Sequence, residues 1–306
     1  MRTLKQKKEK ADKEVEISKR SLSGPVMHII TAVAVLGVIY QFFNAGFGLQ
    51  NELQIRSAHW GYISFIAFLM YRATKKSPMD RITVSDGILA IASLVTCFYV
   101  YFNWLNIAER LGFANTQDII FGVIAILLIL ELTRRVVGLG LVIVVAVFLA
   151  YAYFGPYFPG VLTHKGITLS ALIRTLYIST DGIFGIPIGI SASYVLLFII
   201  FGSFLNASGG GKLFTDIAFG LVGRTDGGAA KSGVVSSSLF GMISGAAVAN
   251  VVTTGTFTIP LMKSSGYKPD YAGAVEAVSS CGGQFMPPVM GAAAFMIAEM
   301  VGFSYG

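Results

Sequence analysis

Charge is what this 306-residue chain has least of. Asp, Glu, Lys and Arg make up 13% of it, against 54% hydrophobic residues. A soluble protein of this length could not cover itself with so little polar surface. The two cysteines, Cys97 and Cys281, both lie in apolar runs, which excludes a disulfide framework. The three histidines, His28, His59 and His164, are scattered singly, so no metal-ligand spacing arises. No nucleophile and base stand at a spacing that would support enzyme chemistry. What remains is an excess of apolar residues with 35 glycines and a mean hydropathy of +0.70. That composition predicts an all-α, polytopic helical membrane protein embedded in a lipid bilayer. The net charge of +7 does not indicate a nucleic-acid partner, because eight of the 23 basic residues fall in the first twenty positions and most others flank apolar runs.

Residues 1–22 form a charged segment, predicted to be disordered or a solvated helix on the cytoplasmic side. The run from Val26 to Phe43 is too long for a signal-peptide core and is followed by no small-x-small cleavage pattern, so it is predicted to be a retained first transmembrane helix. Further apolar runs at 58–71, 84–102, 118–133 and 138–154 bring the count to five. Arg72, Lys75, Lys76 and Arg81 follow the second run and Arg134 and Arg135 the fourth, whereas the loops at 44–57 and 103–117 carry one Arg and one Glu each. By the positive-inside rule the amino terminus and the even loops are cytoplasmic, and the aromatic segment at 151–166 lies outside. Residues 169–180 have apolar residues at helical spacing and read either as an interfacial helix or as an ordinary connecting one. A sixth apolar segment covers 182–206, with Pro187 expected to kink it or mark its start. Lys212, Arg224 and Lys231 then suggest a cytoplasmic surface helix between two glycine-rich turns.

The uncharged run between Lys231 and Lys263 is the most informative stretch. As one straight helix it would reach about 45 Å, against about 30 Å of bilayer hydrocarbon. Its centre is crowded with Ser244, Gly245, Asn250, Thr253 and Thr254, and irregular backbone at membrane depth survives only when buried in protein or lining a cavity. Arg224 and Lys231 before the run and Lys263 and Lys268 after it place both ends on one side. These features predict a re-entrant hairpin. The alternative is a tilted spanning helix whose small residues, such as Gly241 and Gly245, serve tight packing.

From Asp270 onward the chain reads as helix, break, helix. The flexible stretch is expected at Ser279 to Gly283, and Pro287-Pro288 cannot continue the helical hydrogen bonds. Freed carbonyls beside Ser279, Ser280 and Gln284 can replace the hydration shell of a small cation, and the start of the second half-helix favours an anion. Glu131, Glu276 and Glu299 lie in or near apolar segments, where a lone carboxylate is expensive. Glu131 has partners at hand in Arg134 and Arg135. Glu276 is a candidate proton carrier or counter-charge for a bound cation, or else it reaches the interface near Lys268. Gly209, Gly210, Gly211 and Lys212 look like part of a phosphate loop, but Leu213 stands where that motif needs Ser or Thr.

The stretches SGAAVANVVTTGTFTIP and GGQFMPPVMGAAAFM resemble the permease of tripartite ATP-independent periplasmic (TRAP) transporters, in particular the fused permeases of the TAXI branch. ELTRRVVG, FGPYFPG and STDGIFGIPIG fit the same branch, so the resemblance runs from about 118 to 306, and earlier residues match in layout only. The resemblance implies a secondary transporter that takes a small organic carboxylate from a periplasmic solute-binding protein and moves it by an elevator-like motion. Sodium or a proton would be the coupling ion, and no other cofactor is implied. It divides the chain into a small-subunit-like region at 23–136 and a large-subunit-like region at 137–306. Ion and substrate roles would fall on Ser244, Gly245, Asn250, Thr253, Thr254, Gly282, Gly283, Gln284 and Pro287, to which the reading of the residues themselves adds Ser279 and, as a possible proton carrier, Glu276. Such permeases contain two inverted repeats and this sequence carries one hairpin and one broken helix, so it is expected to be the first part of a longer protein or, alternatively, a half-size transporter that dimerises. A channel or structural membrane scaffold is the rival function.

Overall fold

The computed structural model describes residues 19–48, 50–110, 113–287, 290–303 and 305. The described residues are helical with connecting turns, and the only strand-like pairing among them is an isolated bridge between Lys19 and Tyr71. The chain is an all-α polytopic membrane protein. It forms two compact units, Met1–Gly189 and Ile190–Gly306.

The first unit contains α1 (Pro25–Phe47), α2 (Glu52–Met70), α3 (Val84–Glu109), α4 (Thr116–Val136), α5 (Leu139–Phe154) and α6 (Leu169–Leu176). Local chemistry sets several of the boundaries. Pro25 occupies the first turn of α1, where its missing N–H costs nothing. Asn51 with Gln54 and Asn115 with Asp118 form reciprocal capping boxes at the starts of α2 and α4. Gly138, at φ 116°, separates α4 from α5.

α2 packs along α3, and small residues permit the close approach: a Cβ on Gly61 would sit 3.1 Å from the Cβ of Cys97. The apolar core lies partly around Phe68, Leu69, Ala90 and Leu128 and partly around Val100, Ala125, Ile173 and Tyr177. Ile173 is fully buried over Gly122 of α4, and the Tyr177 hydroxyl donates to the Thr96 carbonyl at 2.5 Å. The segment at 169–180 is thus a connecting helix docked on the unit. α1, α3 and α5 turn Leu36, Ile39, Ile88, Ile91, Val147 and Phe148 outward, and α5 buries no residue at all. Such outward apolar surface suits lipid rather than water.

Charges gather at the two ends of this unit. Near the start of α3, the fully buried Asp86 accepts from Arg20, Arg135 and Thr83. Arg135 also binds Glu131, which in turn holds Arg134, so both anticipated partners of Glu131 are used. The described end of the charged amino-terminal segment therefore departs from a solvated head. Arg20 is buried and also donates to the Leu69 carbonyl, because the carboxylate of Asp86 needs a counter-charge inside the protein. The rest of that segment, residues 1–18, lies outside the described residues. At the far end of α3, Asp118 accepts from Arg110 and Tyr99.

Pro187 marks a helix entry rather than a kink, since it falls in the first turn of α7 (Ile186–Ile190), which crosses the boundary between the units. The irregularity comes next, as a π turn at Ser191–Val195 ahead of α8 (Leu196–Ala207). The second unit continues with α9 (Gly210–Val222), α10 (Gly228–Ser244), α11 (Ala247–Ser264), α12 (Pro269–Gly282), a 3₁₀ turn at Gly283–Phe285 and α13 (Ala292–Val301). Among the described residues four helical stretches are long and apolar enough to cross a membrane: Pro25–Phe47, Val84–Glu109, Leu139–Tyr157 and Ile186–Leu205. α2 and α4 carry the other two anticipated spans but turn Arg56, His59 and Asp118 into the interior of their unit.

Removing one partner from a buried ion pair leaves the others uncompensated, at a cost of about 3–5 kcal/mol. Asp86→Ala is therefore expected to lower the thermal unfolding midpoint of the detergent-solubilised protein sharply, with Glu131→Ala, whose carboxylate is partly exposed, having the smaller effect. Equal midpoints for Asp86→Ala and the wild type would refute a structural role for the network.

A candidate ion and solute site between a helical hairpin and an interrupted helix

α10 and α11 form an antiparallel hairpin. Gly233 faces Thr258 and Met262, Ser237 faces Thr254, and Gly241 faces Asn250. The bend falls at Gly245, whose φ of 59° suits glycine, and its N–H closes on the Gly241 carbonyl at 3.1 Å. The long uncharged run is a hairpin, and the reading of it as one tilted helix does not hold.

The tip of the hairpin rests on the interruption that follows α12. A Cβ on Gly245 would lie 2.2 Å from the Met290 carbonyl oxygen, and one on Gly291 would lie 3.4 Å from the Gly245 oxygen. Met290, at φ 58°, is the non-glycine residue with positive φ among those described. The Gly291 N–H reaches back to the Gln284 carbonyl at 2.8 Å and closes the interruption. Deeper in, the backbones of Gly241 and Gly283 touch, since a Cβ on Gly283 would come within 2.7 Å of the Gly241 Cα and 3.0 Å of the Asn250 amide nitrogen.

The break lies later than the small residues suggest. Ser279, Ser280, Cys281 and Gly282 are helical, and regular structure is lost after the 3₁₀ turn, at Met286 and Pro287. The reason is local. Ser279 donates to the Val275 carbonyl at 2.6 Å, so its hydroxyl is accommodated within the helix, whereas consecutive prolines remove backbone donors and cannot continue it. Pro288 itself lies outside the described residues.

Glu276 does not reach an interface near Lys268. It is fully buried, and its Oε1 accepts from Ser237 at 2.8 Å, Thr254 at 2.5 Å and Ser280 at 3.1 Å, while Oε2 accepts from Thr258 at 2.5 Å. Three helices contribute these groups. Gly255 makes room, because a Cβ there would meet the Glu276 Cγ at 3.2 Å. Asn250 completes the cluster by donating to the Ser237 carbonyl at 2.8 Å, and its Oδ1 lies 3.2 Å from the Thr254 hydroxyl oxygen. The polar atoms of Asn250 and Thr254 are thus engaged inside the protein.

Ser244 and Thr253 belong to a second environment. They line a small cavity of about 100 Å³ with Ile199, Gly202, Ser203, Phe240, Ala246 and Ala249. The Ser244 hydroxyl is buried there without a hydrogen-bond partner. A cavity of that size has room for a few waters or a small ion. Of the remaining sequence-derived candidates, Gly283 is buried against the hairpin, Ser279 is occupied by its own helix, and Gly282, Gln284 and Pro287 are exposed. Sequence reasoning left Ser237, Thr258 and Met290 out of the candidate site. For Thr258 a signal existed, since 250, 254 and 258 recur every fourth residue and so share one helix face.

Hydroxyls, an amide and a carboxylate buried between a hairpin and an interrupted helix are the arrangement in which membrane carriers build their sites. Residues 124–306 match the family described as "Tripartite ATP-independent periplasmic transporter, DctM component", more than half of the chain, and the protein belongs to this family. A 100-residue segment is 32% identical to "Uncharacterized protein YgiK" of Salmonella typhimurium, covering 33% of this chain and 23% of that protein. Segments of 91 residues, 30% of this chain, are 33% identical to the "C4-dicarboxylate TRAP transporter large permease protein DctM" of Rhodobacter capsulatus and 30% identical to the "2,3-diketo-L-gulonate TRAP transporter large permease protein YiaN" of Escherichia coli. Each of these two matches spans 21% of the relative's own length. No solved structure matches the chain.

Because the Gly241 and Gly283 backbones are in contact, a methyl group at either position forces them apart. Gly241→Ala is expected to cost about 1–3 kcal/mol by overpacking. Gly282→Ala, at a helical position with open space around its Cβ, should be neutral or slightly stabilising. Unfolding midpoints in detergent compare the two, and equal effects would contradict the close contact.

Proposed function

We propose that this chain is permease sequence of a TRAP-type secondary transporter of the TAXI branch. It imports a small organic carboxylate delivered by a periplasmic solute-binding protein, driven by a sodium or proton gradient, across the cytoplasmic membrane of a bacterium or archaeon. The observation that carries this reading is the hairpin tip seated on the unwound chain at Met290–Gly291, beside a small cavity lined in part by Ser244, whose buried hydroxyl has no partner. Buried irregular backbone beside a cavity is the form in which membrane carriers hold ions and anionic solutes. The carboxylate class is supported by the name of the Rhodobacter capsulatus relative. The branch is supported by the motifs SGAAVANVVTTGTFTIP and GGQFMPPVMGAAAFM. The small-subunit-like region is taken as 23–136 and the large-subunit-like region as 137–306.

Orientation follows from charge. The hairpin is flanked by Arg224 and Lys231 on one side and Lys263 and Lys268 on the other, which supports entry and return at the cytoplasmic face and a cytoplasmic amino terminus. In a background lacking Cys97 and Cys281, Lys231→Cys and Ser264→Cys, both at exposed positions, should react with an impermeant thiol reagent from the cytoplasmic face alone. Labelling of the two from opposite faces would exclude a re-entrant hairpin. Transport itself is tested by uptake of radiolabelled C4-dicarboxylates and 2-oxo acids into vesicles containing the permease. Uptake should saturate, require the cognate binding protein, and be strongly reduced by Ser244→Ala. Non-saturable flux without a binding protein would instead favour a channel.

A further inference from the structure

Glu276 differs from the other buried acids. Asp86 and Asp118 both pair with arginine, whereas among the described residues no cationic group pairs with Glu276. The charged or titratable side chains on the elements packed around it are Lys212 and Asp216 on α9, Lys231 on α10, Lys263 on α11, and Asp270, Tyr271 and Cys281 on α12. All are exposed. The carboxylate thus faces hydroxyls and nothing else.

Those hydroxyls satisfy either charge state. As a carboxylate, Glu276 accepts from Ser237, Thr254 and Ser280 at Oε1 and from Thr258 at Oε2. When a proton sits on Oε2, the O–H donates to the Thr258 hydroxyl. Thr258 then turns its own proton to the Thr254 carbonyl, which lies 3.0 Å from its oxygen. No donor or acceptor is orphaned by the exchange. What changes is charge: an ionised carboxylate closed off from water and without a counter-ion is costly, and a neutral acid in the same cage is not.

We propose that Glu276 is a proton-binding site whose occupancy is coupled to the closing of α10, α11 and α12 upon one another. Hydronium gives its proton to Oε2, leaving water and a neutral acid. The neutral acid closes the cluster, and loss of the proton to water restores a carboxylate that favours separated helices with access to solvent. This deepens the proposed function, since a proton gradient acting here would bias a transport cycle, and in that part it rests on that reading.

Infrared difference spectroscopy of the purified protein in lipid tests the site without any transported solute. An acid-to-alkaline titration of the wild type should show a protonated-carboxyl C=O band that Glu276→Gln loses and isotope labelling of glutamate shifts. Thr258→Val, which removes the single partner of Oε2, should keep the band and change its frequency, and Thr258→Ser should restore it. Identical titration spectra for wild type and Glu276→Gln, with folding of both confirmed by circular dichroism, would overturn the proposal. So would a band insensitive to Thr258→Val. In vesicles, Glu276→Gln should lose accumulation driven by a pH gradient while retaining exchange of solute across the membrane. If the wild type transports none of the acids offered, the transporter reading fails while the spectroscopic result stands. If it transports and Glu276→Gln accumulates solute under a pH gradient as well as wild type, the coupling fails while the transporter reading stands.

Discussion

Four hydroxyls gathered from three helices surround one carboxylate, and the arrangement of the second unit depends on that demand. In hydrocarbon a charged or polar group finds no solvent, so each must meet a partner supplied by the fold. Glu276 fixes the rotation of α12, because its carboxyl group meets Ser237 on α10 and both Thr254 and Thr258 on α11. Once those faces are aligned, Gly241 meets Gly283 and the hairpin tip comes down on Met290–Gly291. The Gly291 N–H then bonds the Gln284 carbonyl across the interruption after α12.

The first unit solves the same problem with opposite charges. Asp86 is held by Arg20 and Arg135, and Asp118 by Arg110 and the Tyr99 hydroxyl. Paired charges at helix ends lock elements together. A carboxyl group met by hydroxyls has no such fixed counter-charge. The contrast between the units is one between carboxylates paired with arginine and a carboxyl group held by hydroxyls.

Between the hairpin and α8 the packing is looser. Ser244 ends α10 with its hydroxyl buried and unpartnered, and the residue helps to line a cavity walled by Gly202 and Ser203 on one side and Ala249 and Thr253 on the other. Small residues on both helices leave this space. It lies on a different face of α11 from the Glu276 cluster, since the adjacent Thr253 and Thr254 point apart by about 100° around the helix. One hairpin thereby serves two polar environments, an enclosed cluster and a small cavity.

The amino-acid sequence by itself determined the membrane class, the helices and the family, because composition, apolar run length and the motifs around 244–256 and 282–296 are properties of the chain and need no partner. That the run between Lys231 and Lys263 bends near its polar centre was legible for the same reason, since it is too long for the bilayer, whereas the place of the bend at Gly245 came from the structure. Tertiary structure decided which polar residues meet. Ser279 and Gly282 looked flexible but stayed helical, since a serine hydroxyl can bond to its own helix and glycine tolerates one. Arg20 looked solvated until a buried aspartate 66 positions away required it. The partners of Glu276 are 4 to 39 residues distant, and only the packing of three helices brings them within hydrogen-bond reach. The sequence alone carries the local signals of bend, break and cap, whereas burial is decided by neighbours that the chain reaches only after folding.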